Sequence, residues 1–117
     1  MPEADAITGT SWQRTFPATA TDARAARQWA AMHAVHPDAR QVAAELYLAV
    51  LASRPSLIEM TVSTAGRRRR ISASGSGPLV QHGLRGPGGI IIRALSAAHG
   101  LTVDERGLWA ELTWETQ

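Results

Sequence analysis

Residues 37–53, PDARQVAAELYLAVLAS, decide the fold. Val42, Ala43, Leu46, Tyr47, Leu48, Ala49, Val50 and Leu51 put apolar side chains nearly all round a helix, the pattern of a helix covered on most sides. Pro37-Asp38 gives it a start and Arg54-Pro55 an end, because a residue before proline is held out of the helical region. Such a helix must be the centre of the fold, with partners on several sides. Upstream, Ser11 to Phe16 alternates, with Trp12, Arg14 and Phe16 on one side and Gln13 and Thr15 on the other. Pro17 then stops a strand ladder, so this is a strand suited to a sheet edge. Thr21 or Asp22 caps a helix to about Val35, with Ala26, Trp29, Ala30 and His33 at helical spacing, and His36-Pro37-Asp38 breaks it.

Downstream, Ile58, Met60 and Val62 alternate with Glu59, Thr61 and Ser63 as a strand with one face on a core. Ala65-Gly66 reads as a hairpin turn, and Arg69 to Ser74 returns with Ile71 and Ala73 inward. Gly75 to Gly89 is a loop with six glycines and two prolines. Ile90 to Ala98 reads as a third helix ending at Gly100. Leu101 to Val103 and Leu108 to Glu115 form a last hairpin around Arg106-Gly107. The order β-α-α-β-β-α-β-β predicts an α+β fold, a two-layer α/β sandwich whose mostly antiparallel sheet carries three helices on one face. One domain over residues 11–117, after a loose stretch 1–10, suits a chain of 117 residues.

Composition excludes several functions. There is no cysteine, so disulfides, thiolate chemistry and cysteine-ligated zinc are ruled out, and a cytoplasmic location is compatible with the rest. No leader pattern is present, and no apolar run approaches the roughly 20 residues of a membrane span. All 12 basic residues are arginine, which with abundant alanine resembles the codon bias of a GC-rich bacterial genome. The net charge of +2 makes no case for nucleic acid.

Glu45 is the one carboxylate in the apolar second helix, and a lone buried charge is costly unless something pairs with it or uses it. One turn later on the same face stands Ala49. The run Ala44-Glu45-Leu46-Tyr47-Leu48-Ala49-Val50 resembles the N-box of the GHKL ATPase superfamily, and in particular the anti-sigma-factor serine kinases of bacteria. That helix carries a Glu and, four residues on, an Asn. The resemblance implies a Bergerat-type fold in which Glu45 would be the general base. The Asn would ligate Mg²⁺, and Ala49 in its place offers no oxygen.

The family's Asp-x-Gly-x-Gly turn reads Ala73-Ser74-Gly75-Ser76-Gly77 here. Gly75 and Gly77 keep the turn, but Ala73 cannot accept the hydrogen bond that the Asp takes from the adenine amino group. The family's glycine-rich helix start reads Gly86-Pro87-Gly88-Gly89-Ile90, so Gly88 and Gly89 would hold phosphate oxygens if nucleotide binds. The segment from Gly77 to Gly86 is short for an ATP lid, with Gln81, His82 and Arg85 as its strongly polar side chains. The resemblance thus implies a protein-binding regulator without productive Mg-ATP binding, with no metal and no cofactor. Its partner would be a sigma factor or an anti-anti-sigma domain, met through Arg24 and Arg27 on the first helix. The alternative is an active serine/threonine kinase that binds ATP and Mg²⁺ and uses Glu45 as base; a third is a dimeric structural subunit.

Plainer roles stand beside these. Glu45 can pair with an arginine at a helix edge, the glycines can be loop punctuation, and His82 can be a solvated loop residue. In Arg67 to Arg70, alternation sends Arg67 and Arg69 to one face and Arg68 and Arg70 to the other, as a solvated hairpin tip or a docking patch for an acidic partner; nucleic acid would want interleaved aromatics. Trp109 points opposite to Leu108, Ala110, Leu112 and Trp114, so the sheet's second face is covered, as in a homodimer, or an aromatic is exposed.

Overall fold

A computed structural model describes residues 9–80 and 86–113. Eight elements follow one another: β1 (Thr10–Pro17), α1 (Ala23–Ala34), α2 (Ala39–Leu51), β2 (Leu57–Ala65), β3 (Arg68–Gly75), α3 (Gly86–Leu95), β4 (Ala98–Leu101) and β5 (Gly107–Thr113). The strands form one sheet in the order β1-β2-β3-β5-β4, every pairing antiparallel. The helices lie on one face of it, which makes the α+β two-layer sandwich anticipated from the element order, with β1 at an edge.

Alternation in the strands sorts the side chains. Ile58, Met60 and Val62 of β2, Ile71 and Ala73 of β3, and Leu108, Ala110 and Leu112 of β5 face the helices and are buried. From α2 come Val42, Ala43, Leu46, Tyr47 and Val50, all fully buried. Each large apolar side chain so covered contributes about 2 kcal/mol relative to exposure. This helix touches α1, α3, β2, β3 and β5, as its apolar girth requires. Ala26, Ala30 and Ala34 give α1 a narrow buried face that lets it lie close to the core.

Two tethers hold the layers together. The Tyr47 hydroxyl shares its proton between the carbonyls of Pro17 and Thr19, 2.8 Å each, and accepts from the Thr19 amide at 3.3 Å. It thus fixes the β1–α1 connection to the central helix, and burial pushes the phenol above its usual value. At the far end of α1 the chain turns out through Val35, in the left-handed region at φ 51°. There Arg69 Nε donates to the Ala34 carbonyl at 2.7 Å, a cation at a helix C-terminus, while its Nη1 donates to the Gly66 carbonyl at 2.7 Å.

Several boundaries move. The third helix runs from Gly86 to Leu95, not from Ile90 to Ala98, so Gly86, Pro87, Gly88 and Gly89 belong to its first turn, where a proline loses no hydrogen bond. Ala98 to Leu101 is strand instead, because β5 offers it a ladder. The β2–β3 turn is Gly66-Arg67, one residue later than Ala65-Gly66. In the last hairpin the turn spans residues 102–106 and Gly107 already pairs within β5. Asp104 Oδ1 accepts from the Thr102 hydroxyl at 2.7 Å and the Arg106 amide at 3.0 Å, which hold its carboxyl below the usual value. Asp22 occupies the cap position of α1 without a capping hydrogen bond; its amide donates to Thr19 Oγ1 at 3.1 Å. Thr10 belongs to β1, while residues 1–8 of the expected loose stretch, and Trp114 and Glu115 of the expected last strand, lie outside the described residues.

Candidate functional site

The central helix and the first turn of α3 bring together two of the residues singled out by the resemblance. Glu45 projects from the middle of α2 and is half-buried, so it is not the enclosed lone charge that the apolar helix suggested. Its Oε2 accepts from the Gln41 side chain, one turn earlier, at 2.9 Å. Its Oε1 lies against Gly88, where a Cβ would collide with it. Glycine at 88 therefore gives a carboxylate room beside the start of a helix, an end whose amides favour negative charge. Gly89, next to it, is buried.

The other two glycines stand apart in role. Gly75 ends β3, and its amide donates to the Arg106 carbonyl at 2.9 Å. A Cβ there would come within 3.0 Å of Pro55 and 3.2 Å of Val50, so this turn packs directly on the end of the central helix. Around Gly77 there is open space. Ala73, at the adenine-reading place of the resemblance, is fully buried on the core side of β3, opposite Met60 and Leu108. Ala49 is half-buried and packs against the core one turn after Glu45. Neither brings an oxygen, and among the described residues no cluster of His, Asp or Glu could hold a metal ion. Gln81, His82 and Arg85 lie outside the described residues.

On α1, Arg24 is exposed and Arg27 half-buried. The Arg27 Nε is out of solvent and has no hydrogen-bond partner among the described residues, an unusual state for a guanidinium nitrogen. Where α1 meets β1, His33 stacks on Trp12 at 4.8 Å and meets the buried Trp29 edge-on at 5.1 Å, while Arg14 lies 5.0 Å from the centre of the buried Phe16 ring. The sequence pattern puts Trp12 on one side of the first strand and Trp29 and His33 on one face of the first helix but does not join them. Spacing within one element carries no sign of a strand residue meeting a helix residue.

Trp109 points away from the helices, as its place in the strand predicts, and its ring is partly covered from within the chain. Arg70 stacks over it at 4.1 Å, Nε1 donates to the Leu101 carbonyl at 3.0 Å, and the indole runs across Gly100. The four consecutive arginines are likewise divided. Arg69 is a structural tether, Arg70 belongs to the tryptophan, and Arg68 lies with Arg70 on the outer face.

No helix among the described residues is long and apolar enough to cross a membrane. No family model matches the chain, and no curated protein matches it.

Proposed function

We propose that this domain is a protein-binding regulator on a GHKL-like scaffold, similar to bacterial anti-sigma factors, that no longer uses Mg-ATP. It binds a sigma factor or an anti-anti-sigma domain in the cytoplasm, as a homodimer, through α1 and the neighbouring end of β1. The observation that carries this reading is the chemistry at two places of the resemblance: Ala49 and Ala73, both short of oxygen, stand where Mg²⁺ and adenine would need one. Support for the α1 surface comes from the half-buried Arg27, whose Nε has no acceptor among the described residues, so that its guanidinium gains hydrogen bonds by turning outward to a partner's carbonyl or carboxylate. Arg24 adds an exposed cation one turn earlier, which suits an acidic contact and steers its approach.

Calorimetric titration with ATP and ADP in the presence of Mg²⁺ tests the nucleotide half. No saturable heat below roughly millimolar nucleotide is expected, and saturation in the micromolar range would refute it. Partner capture tests the other half, and Arg27→Glu should abolish it while the fold persists.

A second reading is favoured by one observation. Glu45 lies beside Gly88 at the start of α3, the placement a general base would need next to a phosphate-binding helix turn. In that reading the domain is a serine/threonine kinase, and phosphate transfer to a protein serine lost in Glu45→Gln is its signature.

A further inference from the structure

The sheet face turned away from the helices carries an arrangement that the α1 surface does not use. Arg68, Arg70 and Ser72 of β3 alternate onto it, flanked by Ser63 of β2 and by Trp109 and Glu111 of β5. Arg70 is its centre. The guanidinium lies flat over the indole, and the indole is itself fixed by the Leu101 carbonyl and by Gly100, where a Cβ would sit 3.2 Å from the ring. One Nη reaches Glu111 at 3.3 Å, a single long contact, and it is the only ion pair or hydrogen bond of Arg70 among the described residues. The Arg70 side chain remains 51% exposed against 18% for Glu111. A shallow depression lies on either side of it, one reaching Ser63 and Arg68, the other reaching Ser72 and Val103.

We propose that this face docks an acidic peptide segment of a protein partner, with Arg70 as the anchor and Arg68 as its neighbour. A guanidinium binds a carboxylate best through two parallel N–H donors, and Arg70 commits only one nitrogen to Glu111. The stack on Trp109 has already fixed the side chain, so docking orders few additional rotamers. The Ser72 hydroxyl, and the Ser63 hydroxyl beyond its 3.2 Å bond to Ser11 Oγ, can meet the backbone of an extended segment. Glu111 is a weak internal occupant that an incoming carboxylate replaces. Single-stranded nucleic acid fits less well, because its bases need an aromatic face and the indole is already covered by Arg70.

The test is titration of the full chain with a short poly-glutamate peptide and with its glutamine counterpart. Arg70→Gln should weaken the glutamate peptide by about tenfold, the loss of one good charge-assisted contact. Glu111→Gln should tighten it by freeing the guanidinium. Glu59→Gln makes the same charge change on the same face, opposite Ser74 at the other end of β3, and should leave affinity unchanged. The tryptophan fluorescence change on binding should vanish in Trp109→Phe. Equal binding by Arg70→Gln, equal tightening by Glu59→Gln, or equal affinity for the glutamine peptide would each overturn the proposal. So would displacement of the peptide by a single-stranded oligonucleotide that binds more tightly.

Discussion

Replacing Tyr47 by Phe removes one oxygen from the centre of the molecule and leaves every carbon in place. The ring is fully buried, so no cavity forms, and the loss is confined to the hydroxyl's contacts with Pro17 and Thr19. Two carbonyls and one amide are left without that partner in a partly buried setting, which costs about 1.5 kcal/mol. With unfolding entropy of about 2.1 cal/mol/K per residue, this lowers Tm by about 6 °C for a chain of 117 residues. The pH dependence sharpens the test. Burial raises the folded phenol above its usual 10.0, opposed by the Thr19 hydrogen bond and helped slightly by Asp22. A raised folded value means that the stability is fully present below pH 10 and is lost as pH rises through the folded value. The chain has one tyrosine, no lysine and no cysteine, so this phenol is the one side chain that titrates in that window. Thermal melts of both proteins, followed by circular dichroism at pH 7 and above pH 10, should show a gap that narrows with alkali. Ultraviolet absorbance should show tyrosinate forming later than in the unfolded chain. Equal stability at neutral pH, or a gap that stays constant into alkali, would refute the assignment.

Arg69→Gln should cost about 2 kcal/mol in urea denaturation by freeing the Ala34 carbonyl at the end of α1, whereas Arg24→Ala, exposed on the same helix, should stay within about 0.5 kcal/mol of the native protein. Gly107→Ala should cost about 3 kcal/mol or more, because its Cβ would strike the Ala73 carbonyl, which is backbone and cannot swing aside. Asp104, held low first by the Thr102 hydroxyl and then by the Arg106 amide, adds stability that is present above the unfolded carboxyl value and lost as pH falls through the folded one. Acid unfolding of Asp104→Asn should therefore lack that dependence. Gly88→Ala should be more favourable in a Glu45→Ala background than in the native one, by about 0.5–1 kcal/mol, since only then is the space free for the helix-favouring methyl. Additive effects would mean that the carboxylate does not occupy that space.

The layers and the central helix were legible because periodicity records burial within a single element. The girth of residues 37–53 demanded partners all round, and α1, α3 and the sheet supply them. The start of α3 was misplaced because glycines and a proline argue against helix by intrinsic preference. Packing against α2, and room for Glu45, override that preference at Gly88. Tyr47 read as one more apolar position, since nothing local says that a chain turn far upstream will bring Pro17 and Thr19 to its oxygen. Alternation alone divides the arginine run between two faces, Arg67 and Arg69 against Arg68 and Arg70, but that Arg69 meets the Ala34 carbonyl and Arg70 the indole depends on what lies across the sheet. Of the candidate site, the sequence order yielded the residue types. That Glu45 and Gly88 meet depended on packing between helices, and that the Arg27 Nε finds no acceptor among the described residues depended on tertiary surroundings; neither could be read from spacing.

The strand order also sets a schedule for the growing chain. β5 enters between β3 and β4, so an interior place in the sheet is filled by the last of these eight elements to be made. Until it leaves the ribosome, β3 offers an open flank, β4 has no neighbour, and Ile71 and Ala73 lack the side chains that complete their layer. At roughly 5–20 residues per second, that interval lasts seconds, long enough for another chain's strand to take the vacancy. A nascent domain of this design therefore gains from a chaperone, or from slow neighbours, at one stage of its synthesis: the passage between Gly75 and Gly107.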